Sequence, residues 1–400
     1  MKVLICPLSE PGYLYPTIPV GLEVRRRGHE ATVLGSGQAA QTATAAGIPA
    51  LALDDGTAQA FSVQGWLRRQ PDQYEAASTA ALTVRPDVIL TSIFCHGVLL
   101  AAEQLGVPVV VLGLAAYLWP YASEAAERQD ISGRRTWTLN SFVRLYRQAR
   151  VETGFAPCSE QQAARALLGS RYLVRGDVLL EAPGARLPDD VHQVGPCFWE
   201  PEPDRIRLSR LTRIIDDRAK PLVYVHLGNR FQDEGHWPLL NALFVDSGYQ
   251  AVVELGRTGP PHPAPPAGLT PVRLPWMGPL IERAEIVVTS ATSAPVLGSL
   301  VRGRPLLVAP AGAEQPLLAE ACRRAGVARV LPDRPAPAAL TMATSDRLLR
   351  QAAQRLGDSL RSLDGPRSVA DHLEDVAARS GRPPDRIRRD SGARNGRLGV

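Results

Sequence analysis

The sequence predicts an α/β protein with two doubly wound, Rossmann-like parallel sheets, one in each of two consecutive domains. Short apolar runs typical of buried parallel strands alternate with helical patterns along most of the 400 residues. The 45% hydrophobic content, with 21% charged residues, is typical of a globular chain. A stretch with three prolines, residues 195–204, divides the alternation into two series of similar length, which indicates two domains.

The first series begins with the apolar run VLIC at Val3–Cys6, which predicts a buried strand. After a loop, a helical pattern starts at Pro16 and ends at Gly28, a suitable helix stop. The strand EATVLG follows. Further strands are predicted at Asp87–Ser92 and Pro108–Gly113, on either side of a helix through LLAAEQLG. This repeated βα pattern favours a parallel sheet covered by helices on both faces.

The second series repeats the pattern. Strands are predicted at Pro221–Gly228, in GYQAVVELG, at Glu285–Ser290 and at Arg304–Pro310, with helices in VLGSLVRG and QPLLAEACRRAG. Ligands of such sheets bind outside the carboxyl ends of the strands, near the point where strand order reverses. With two such domains in one chain, the cleft between them is the expected site.

These patterns give domain boundaries. We place an N-terminal domain at 1–198, a linker at 199–219 and a C-terminal domain at 220–378. The last helix is a candidate to pack back on the N-terminal domain. An Arg-rich tail at 379–400 has almost no apolar residues and is predicted to be disordered.

Charge and composition exclude several function classes. The net charge is +5, but residues 381–400 contribute +4 of it, so the body is nearly neutral and nucleic-acid binding is not expected. No run of about 18 apolar residues indicates a membrane span, and the short apolar start is broken by Pro7 and Glu10, unlike a signal peptide. Five scattered cysteines form no CxxC pair, so neither a disulfide framework nor a zinc site is indicated. We expect a cytoplasmic protein without metal, and a homodimer remains open.

The stretch Ser299–Ala328 carries the most specific motif: a helix, Gly-x-Pro, a strand ending in Pro, then Glu-Gln before a second helix. The matching residues are Gly303, Pro305, Pro310, Glu314, Gln315, Ala319 and Gly326. The opening PGYLYPTIPVGLEVRRRGHEATVLG and the segment Val191–Pro196 also match. Over roughly residues 1–378 the chain thus resembles the GT-B glycosyltransferases that use nucleotide sugars, in the bacterial natural-product branch.

The resemblance implies a phosphate site at the amino end of a helix, where free N–H groups and the helix dipole favour anions. The family's His-Gly-Gly is replaced here by Ser290, Ala291 and Thr292, followed by Ser293. The hydroxyls of Ser290, Thr292 and Ser293 are candidates to bind the phosphates, and Ser293 is also a suitable helix N-cap. An ordinary helix cap without a ligand is the alternative.

Glu314 and Gln315 follow a strand end, and in the family this pair binds the hydroxyls of the donor sugar. A carboxylate and an amide can orient a polyol through several directed hydrogen bonds. The alternative is a surface cap on the next helix, which a glutamate also favours.

Four further positions correspond to the family's donor site. Gly228 and Asn229 follow a predicted strand where the family has Gly-Ser near the phosphates, and a plain turn is the alternative. Trp276 and Met277 occupy the stretch that holds the nucleotide base. Trp276 could stack on the base, or it could be a core or interface residue.

The catalytic positions depart from the family. Tyr13 stands where the family has the histidine that acts as general base, and Ser92 stands where it has the orienting aspartate. A neutral tyrosine is a poor base at pH 7 because its usual pKa is about 10. His96, four residues beyond Ser92, is a candidate substitute base, although a lone histidine in a loop is more often structural. Cys95 beside it could be a nucleophile only if activated.

The resemblance implies a glycosyltransferase that moves a sugar, including deoxysugars, from a dTDP- or UDP-linked donor to a small natural product in antibiotic biosynthesis. The donor is a co-substrate, and no cofactor is expected. The alternative is a GT-B pseudo-glycosyltransferase, either a non-catalytic partner or an enzyme repurposed for other chemistry. A sugar-nucleotide epimerase fits less well, because that class lacks the amino-terminal similarity. Aromatic residues that could line an acceptor pocket, or a domain core, are Tyr117, Trp119, Tyr121, Trp137, Phe142 and Tyr146.

Overall fold

The protein has two α/β domains, each built on one parallel sheet. The computed structural model describes residues 1–53, 69–124, 127–228, 236–256, 265, 267–332 and 334–380. Statements below concern these residues. Two predictions lie outside them: the phosphate contact of Asn229, and most of the disordered tail, at residues 381–400.

The first sheet has seven strands in the order β3-β2-β1-β4-β5-β6-β7, all paired in parallel. The strands are β1 (Lys2–Cys6), β2 (Glu30–Gly35), β3 (Ala50–Ala52), β4 (Val88–Ser92), β5 (Val109–Leu112), β6 (Arg171–Val174) and β7 (Val191–Gln193). The helices are α1 (Pro11–Leu14), α2 (Thr17–Arg26), α3 (Gly37–Ala45), α4 (Gln70–Val84), α5 (His96–Leu105), α6 (Gln129–Glu152) and α7 (Glu160–Ala166), with a 3-10 turn at Val178–Leu180.

The second sheet has six parallel strands in the order β10-β9-β8-β11-β12-β13. The strands are β8 (Leu222–His226), β9 (Gln250–Glu254), β10 (Leu269–Val272), β11 (Ile286–Thr289), β12 (Leu306–Val308) and β13 (Ala328–Val330). The helices are α8 (Arg205–Arg218), α9 (His236–Phe244), α10 (Gly278–Arg283), α11 (Ser293–Leu300), α12 (Gln315–Arg324), α13 (Ala338–Ser345), α14 (Arg347–Ser362) and α15 (Gly365–Arg379).

The predicted fold class is confirmed, because both sheets are parallel and doubly wound. Strand residues alternate between two apolar layers, since successive side chains of a strand point to opposite faces. In the first domain, Leu4 and Ile89 pack into one layer, whereas Val3 and Ile5 pack into the other. Each sheet is thus covered on both faces, which explains the nearly continuous apolar runs in the sequence.

The segment predicted as a linker contains a helix. Residues 199–204 connect the domains, whereas Arg205–Arg218 form α8, capped at Asp204 by a bond from the Arg207 N–H to the carboxylate (2.8 Å). Leu211 and Ile215 of α8 are buried in the core of the second domain. The regular spacing of these apolar residues, one turn apart, makes α8 an amphipathic helix of that domain, so the extended connection is shorter than the predicted linker.

The last helix, α15, returns to the first domain. Leu373 and Val369 are buried in the same apolar layer as Val3 and Ile5. At the rim, Arg27 of the first domain pairs with Asp371 at 2.7 Å. The helix runs to Arg379, one residue into the segment predicted as tail. No described helix is long and apolar enough to cross a membrane.

Candidate active site

The strand order places the candidate residues at the carboxyl edges of both sheets. In the first sheet the order reverses between β1 and β4. Tyr13 lies in the segment that follows β1, and Ser92 is the last residue of β4. In the second sheet the reversal lies between β8 and β11, which are followed by Gly228 and Ser290. These reversal points are where doubly wound sheets bind ligands.

Tyr13 of the first domain and Glu314 of the second interact electrostatically. Tyr13 lies in α1, the single turn after β1, and Glu314 directly precedes α12 in the other domain. Burial raises the pKa of the Tyr13 phenol well above its usual value, and the negative charge of Glu314 raises this pKa further. Tyr13 is therefore neutral at pH 7, and it is not a general base in this environment.

Ser92 holds the loop that leads to Tyr13. Its hydroxyl accepts a hydrogen bond from the Leu8 N–H (2.8 Å) and lies 3.4 Å from the Cys95 thiol. The side chain is buried. At the position of the family's orienting aspartate, this serine bonds to the neighbouring backbone, and it makes no bond to Tyr13.

His96 lies in the core of the first domain. The residue is fully buried, and its ring contacts those of Phe142 and Tyr146, with centroids 5.9 and 6.0 Å away. Burial lowers the pKa of His96 to about 4, and neither ring nitrogen has a hydrogen-bond partner. An imidazole enclosed by aromatic rings cannot reach an acceptor hydroxyl in the cleft, so this placement favours the structural alternative.

The donor-side turn brings Gly228 beside Ser290. Gly228 has a φ of +71°, and a Cβ atom there would lie 3.9 Å from the Ser290 hydroxyl oxygen. That oxygen is buried and has no partner among the described residues. Ala291, at the position of a family glycine, has a left-handed φ of +65°. The backbone therefore keeps a conformation suited to glycine, although the glycine itself is replaced.

The start of α11 is braced against the first domain. Thr292 is the N-cap, without a side-chain capping bond, and Ser293 is the first helical residue, so the predicted cap at Ser293 is displaced by one position. The Ser293 hydroxyl accepts a hydrogen bond from the Ala115 N–H at 3.0 Å. One of the three predicted phosphate-binding hydroxyls thus bonds across the cleft to the other domain.

The side chains of Glu314 and Gln315 differ in their hydrogen bonds. The Gln315 side-chain oxygen accepts a hydrogen bond from the Ala311 N–H (2.9 Å), which closes the loop after β12. Glu314 is the N-cap of α12 but makes no side-chain capping bond. Burial raises the pKa of Glu314, and a bond with its own backbone N–H partly opposes this. The helix-cap alternative for Glu314 thus receives no side-chain bond, and its carboxylate interacts electrostatically with Tyr13 of the other domain.

Trp276 and Met277 are tied into the second domain. The indole is 3% exposed and belongs to the apolar core that includes Leu280 and Val296. The Met277 N–H donates to a Glu200 carboxylate oxygen at 2.9 Å. An open ring face is needed to stack on a base, so the core alternative for Trp276 fits this structure better.

Most of the predicted acceptor-site aromatics form a core. Trp119, Phe142 and Tyr146 are buried in one cluster, which also includes Leu317 of α12 from the other domain. Trp137, in contrast, is 61% exposed. The cluster therefore joins the two domains and leaves the acceptor-pocket role of these rings as an expectation.

One residue at this cleft was missed by the sequence analysis. Arg175 directly follows β6, is 3% exposed, and donates from Nε to the Gly113 carbonyl oxygen (2.8 Å). Its positive charge lowers the pKa of Tyr13, opposing the effect of Glu314. No described carboxylate forms an ion pair with it. A charged residue at the end of an apolar strand was the signal that could have identified it.

Two facing parallel sheets, with polar side chains meeting at their carboxyl edges, define the GT-B class of folds. No protein-family model matches the chain. Elloramycin glycosyltransferase ElmGT of Streptomyces olivaceus is 25% identical over 93% of this chain and 97% of its own length.

Solved structures agree with this relative. The kitacinnamycin glycosyltransferase covers 94% of this chain and 98% of its own, with a TM-score of 0.70 and 18% identity. The calicheamicin glycosyltransferase CalG4 covers 95% and 99%, with a TM-score of 0.66 and 19% identity. The fold is therefore that of GT-B glycosyltransferases. The predicted resemblance to natural-product glycosyltransferases is confirmed, and the enzyme class it indicates is glycosyltransferase.

Proposed function

We propose that the chain transfers a sugar, including deoxysugars, from a dTDP- or UDP-linked donor to a small natural-product acceptor. The observation that carries this proposal is the buried Ser290 hydroxyl, without a partner among the described residues, beside Gly228 at the segment that leads into α11, where the family binds the diphosphate. A solved structural neighbour, VinC, is described in complex with dTDP. The sugar nucleotide is the co-substrate, and no resident cofactor takes part.

The donor is held locally by short polar groups. Glu314 and Gln315 bind the sugar hydroxyls, with the Gln315 amide already fixed by the loop after β12. The Ser290 hydroxyl and the bare backbone of Gly228 bind the diphosphate, helped by the amino end of α11 at Thr292 and Ser293. Because the nearly neutral body provides no general attraction for phosphates, these contacts must supply the affinity.

The acceptor reacts with little help from a base. Neutral Tyr13 donates or accepts a hydrogen bond, and the Arg175 guanidinium favours an anionic acceptor oxygen beside it. A readily ionised acceptor, such as a phenol, loses its proton to solvent and attacks the anomeric carbon of the sugar. The new carbon–oxygen bond forms as the bond to the nucleoside diphosphate breaks, and the diphosphate leaves with that electron pair.

The pseudo-glycosyltransferase alternative is favoured by one specific contact. The Ser293 hydroxyl already accepts a hydrogen bond from the Ala115 N–H of the other domain, so one of the three hydroxyls predicted to bind the diphosphate is already engaged. A protein repurposed for other chemistry, or a non-catalytic partner, would not need this hydroxyl for a phosphate. Donor binding therefore separates the two functions.

Calorimetry of the full chain with dTDP, UDP and their sugars tests the proposal, together with transfer assays on a phenolic acceptor. We expect the chain to bind one of the two nucleotides and to transfer its sugar. Glu314→Gln should weaken both the binding of the sugar-linked donor and the transfer at least about tenfold. Glu282→Gln, an exposed carboxylate of the same domain, is the control and should change neither.

Nucleotide binding without transfer to any acceptor would support the repurposed alternative. Absence of binding at millimolar nucleotide would overturn the donor-dependent function altogether. Equal losses of donor binding and transfer in the two glutamine variants would show that Glu314 does not bind the sugar.

A further inference from the structure

A second cavity lies between the domains, away from the candidate active site. Its volume is about 830 Å³, and it is bounded by residues 178–187 of the first domain, by the carboxyl end of α12 and by the middle of α14. Glu314 lies at the opposite end of α12, about 15 Å away along ten helical residues. None of the residues assigned to donor or acceptor above lines this cavity.

The walls are largely apolar and open to solvent. Val178 and Leu179 line the cavity and are 66% and 53% exposed. Leu187 and Leu356 face them from the two domains. A volume of this size, lined by apolar groups with a few polar ones, is typical of sites for small organic molecules.

Unsatisfied polar atoms concentrate at this cavity. Glu181 is 5% exposed; its Oε1 accepts a hydrogen bond from the Tyr117 N–H (2.7 Å), whereas Oε2 has no partner. The side-chain oxygen of Gln193 and Nε of Arg324 are likewise buried without a partner. Buried polar groups are normally satisfied, so three unsatisfied ones lining one cavity indicate a ligand that supplies hydrogen bonds.

The charged residues of the lining are two arginines and the carboxylate of Glu181. Arg324 and Arg355 line the cavity, and no described carboxylate forms an ion pair with either. Neighbouring arginines differ, since Arg323 pairs with Glu320 (2.7 Å) and Arg329 pairs with Asp346. Arg324 and Arg355 also line an adjoining cavity of about 640 Å³. Arg324 donates from Nη2 to the Leu180 carbonyl oxygen (3.0 Å), whereas its Nε has no partner. Guanidinium groups without a carboxylate partner beside an apolar wall suit a carboxylate, which they bind through paired hydrogen bonds.

We propose that this cavity is a second, non-catalytic site for a small apolar carboxylic acid that also carries a hydroxyl group. The apolar body packs between the first-domain segment at Val178–Leu180 and helix α14. Its carboxylate pairs with Arg324 and Arg355, and its hydroxyl donates to Glu181 or Gln193. Because the walls belong to different domains, the ligand bridges them and favours their present arrangement.

Fluorescence titration of the full chain tests this with three probes that differ by one group each. The probes are 6-hydroxy-2-naphthoate, 2-naphthoate, which lacks the hydroxyl, and 2-naphthol, which lacks the carboxylate. We expect saturable binding that weakens in this order. Arg355→Ala should weaken 6-hydroxy-2-naphthoate about tenfold, and Ala352→Trp, which fills the cavity, should abolish its binding.

Arg350→Ala is the matched control, because Arg350 is an exposed arginine on the same helix that does not line the cavity. It should leave binding unchanged, and thermal unfolding should show that Arg355→Ala is folded. Failure of 6-hydroxy-2-naphthoate to bind, equal binding of 2-naphthol, or equal losses in Arg350→Ala would each overturn the proposal. A dimer in solution that Val178→Asp dissociates would also overturn it, because a second copy would then cover the cavity. These readouts require neither donor binding nor sugar transfer.

Discussion

Arg175 places a buried positive charge beside Tyr13 without a described carboxylate to neutralise it. An arginine stays protonated even when buried, so it favours anions that reach the cleft. Tyr172, whose hydroxyl is buried without a partner, lies within range of the same charge. Under the proposed function, this charge would stabilise the ionised acceptor and so offset the absence of the family's histidine base.

We expect Arg175→Gln to lower kcat/KM for a phenolic acceptor about a hundredfold, the typical loss when one donor to a developing oxyanion is removed. Arg175→Lys should keep part of the activity because it keeps the charge. The loss should also grow as the acceptor becomes less acidic, measured with a series of substituted phenols. Arg186→Gln, an exposed arginine of the same domain, is the control. A loss independent of acceptor acidity would indicate a purely structural role.

His96 shows how burial converts a candidate catalytic group into a stability determinant. Its pKa is lowered from 6.5 to about 4 by burial, so the unfolded chain takes up a proton that the folded chain refuses. The stability associated with neutral His96 is present above pH 6.5 and is lost as pH falls from 6.5 to 4. For one group this loss reaches about 3 kcal/mol.

We therefore expect His96→Leu to retain kcat and to flatten the decline of unfolding free energy between pH 6.5 and 4. His226 and His372 have pKa values lowered to about 4 as well and remain in the variant, so the slope should fall by at most about one proton. Urea unfolding at several pH values measures this. A large fall in kcat with an unchanged unfolding curve would instead indicate that His96 takes part in catalysis.

At the level of elements, the sequence was most informative about strands. The six strands given residue limits lie within two residues of their predicted limits, such as β4 at Val88–Ser92, because buried parallel strands are marked by nearly continuous apolar runs. Helix α8 was missed, since its apolar residues follow a stretch rich in prolines that indicated a linker. Local composition there outweighed a helical periodicity that was also present.

Contacts between elements could not be predicted, because they join residues distant in sequence. Glu200, in the connection between the domains, accepts hydrogen bonds from the N–H groups of Met277 and Gly278 and so caps α10. The bond between Ser293 and Ala115 is a similar case. The motif at Glu314 and Gln315 indicated the carboxyl edge of the second sheet, but nothing in the sequence showed that Glu314 interacts electrostatically with Tyr13. Strand order and domain packing set that geometry.

At the level of the whole molecule, the chain returns from the second domain to the first. The connection after β7 passes the start of α15 closely: a Cβ atom at Gly365 would lie 2.4 Å from the Pro196 carbonyl oxygen. Helix α15 then covers the first sheet, although it follows the second domain in sequence. The two domains are therefore joined twice, by residues 199–204 and by α15. Stability of the first domain must depend on residues encoded at the other end of the chain.

Leu373 is the sharpest test of this dependence, because it is fully buried in the first-domain layer. Leu373→Ala should cost about 2–5 kcal/mol, the usual range for such a cavity, and the loss should fall on the first domain. Hydrogen exchange measures this: amides of β1 and β4 should exchange faster, while those of β8 and β11 stay protected. Arg367→Ala, on the same helix, is the control and should shift stability by no more than about 0.5 kcal/mol. Equal acceleration in both sheets would mean that the domains unfold as one unit, and unchanged exchange in β1 would mean that α15 contributes nothing to the first domain.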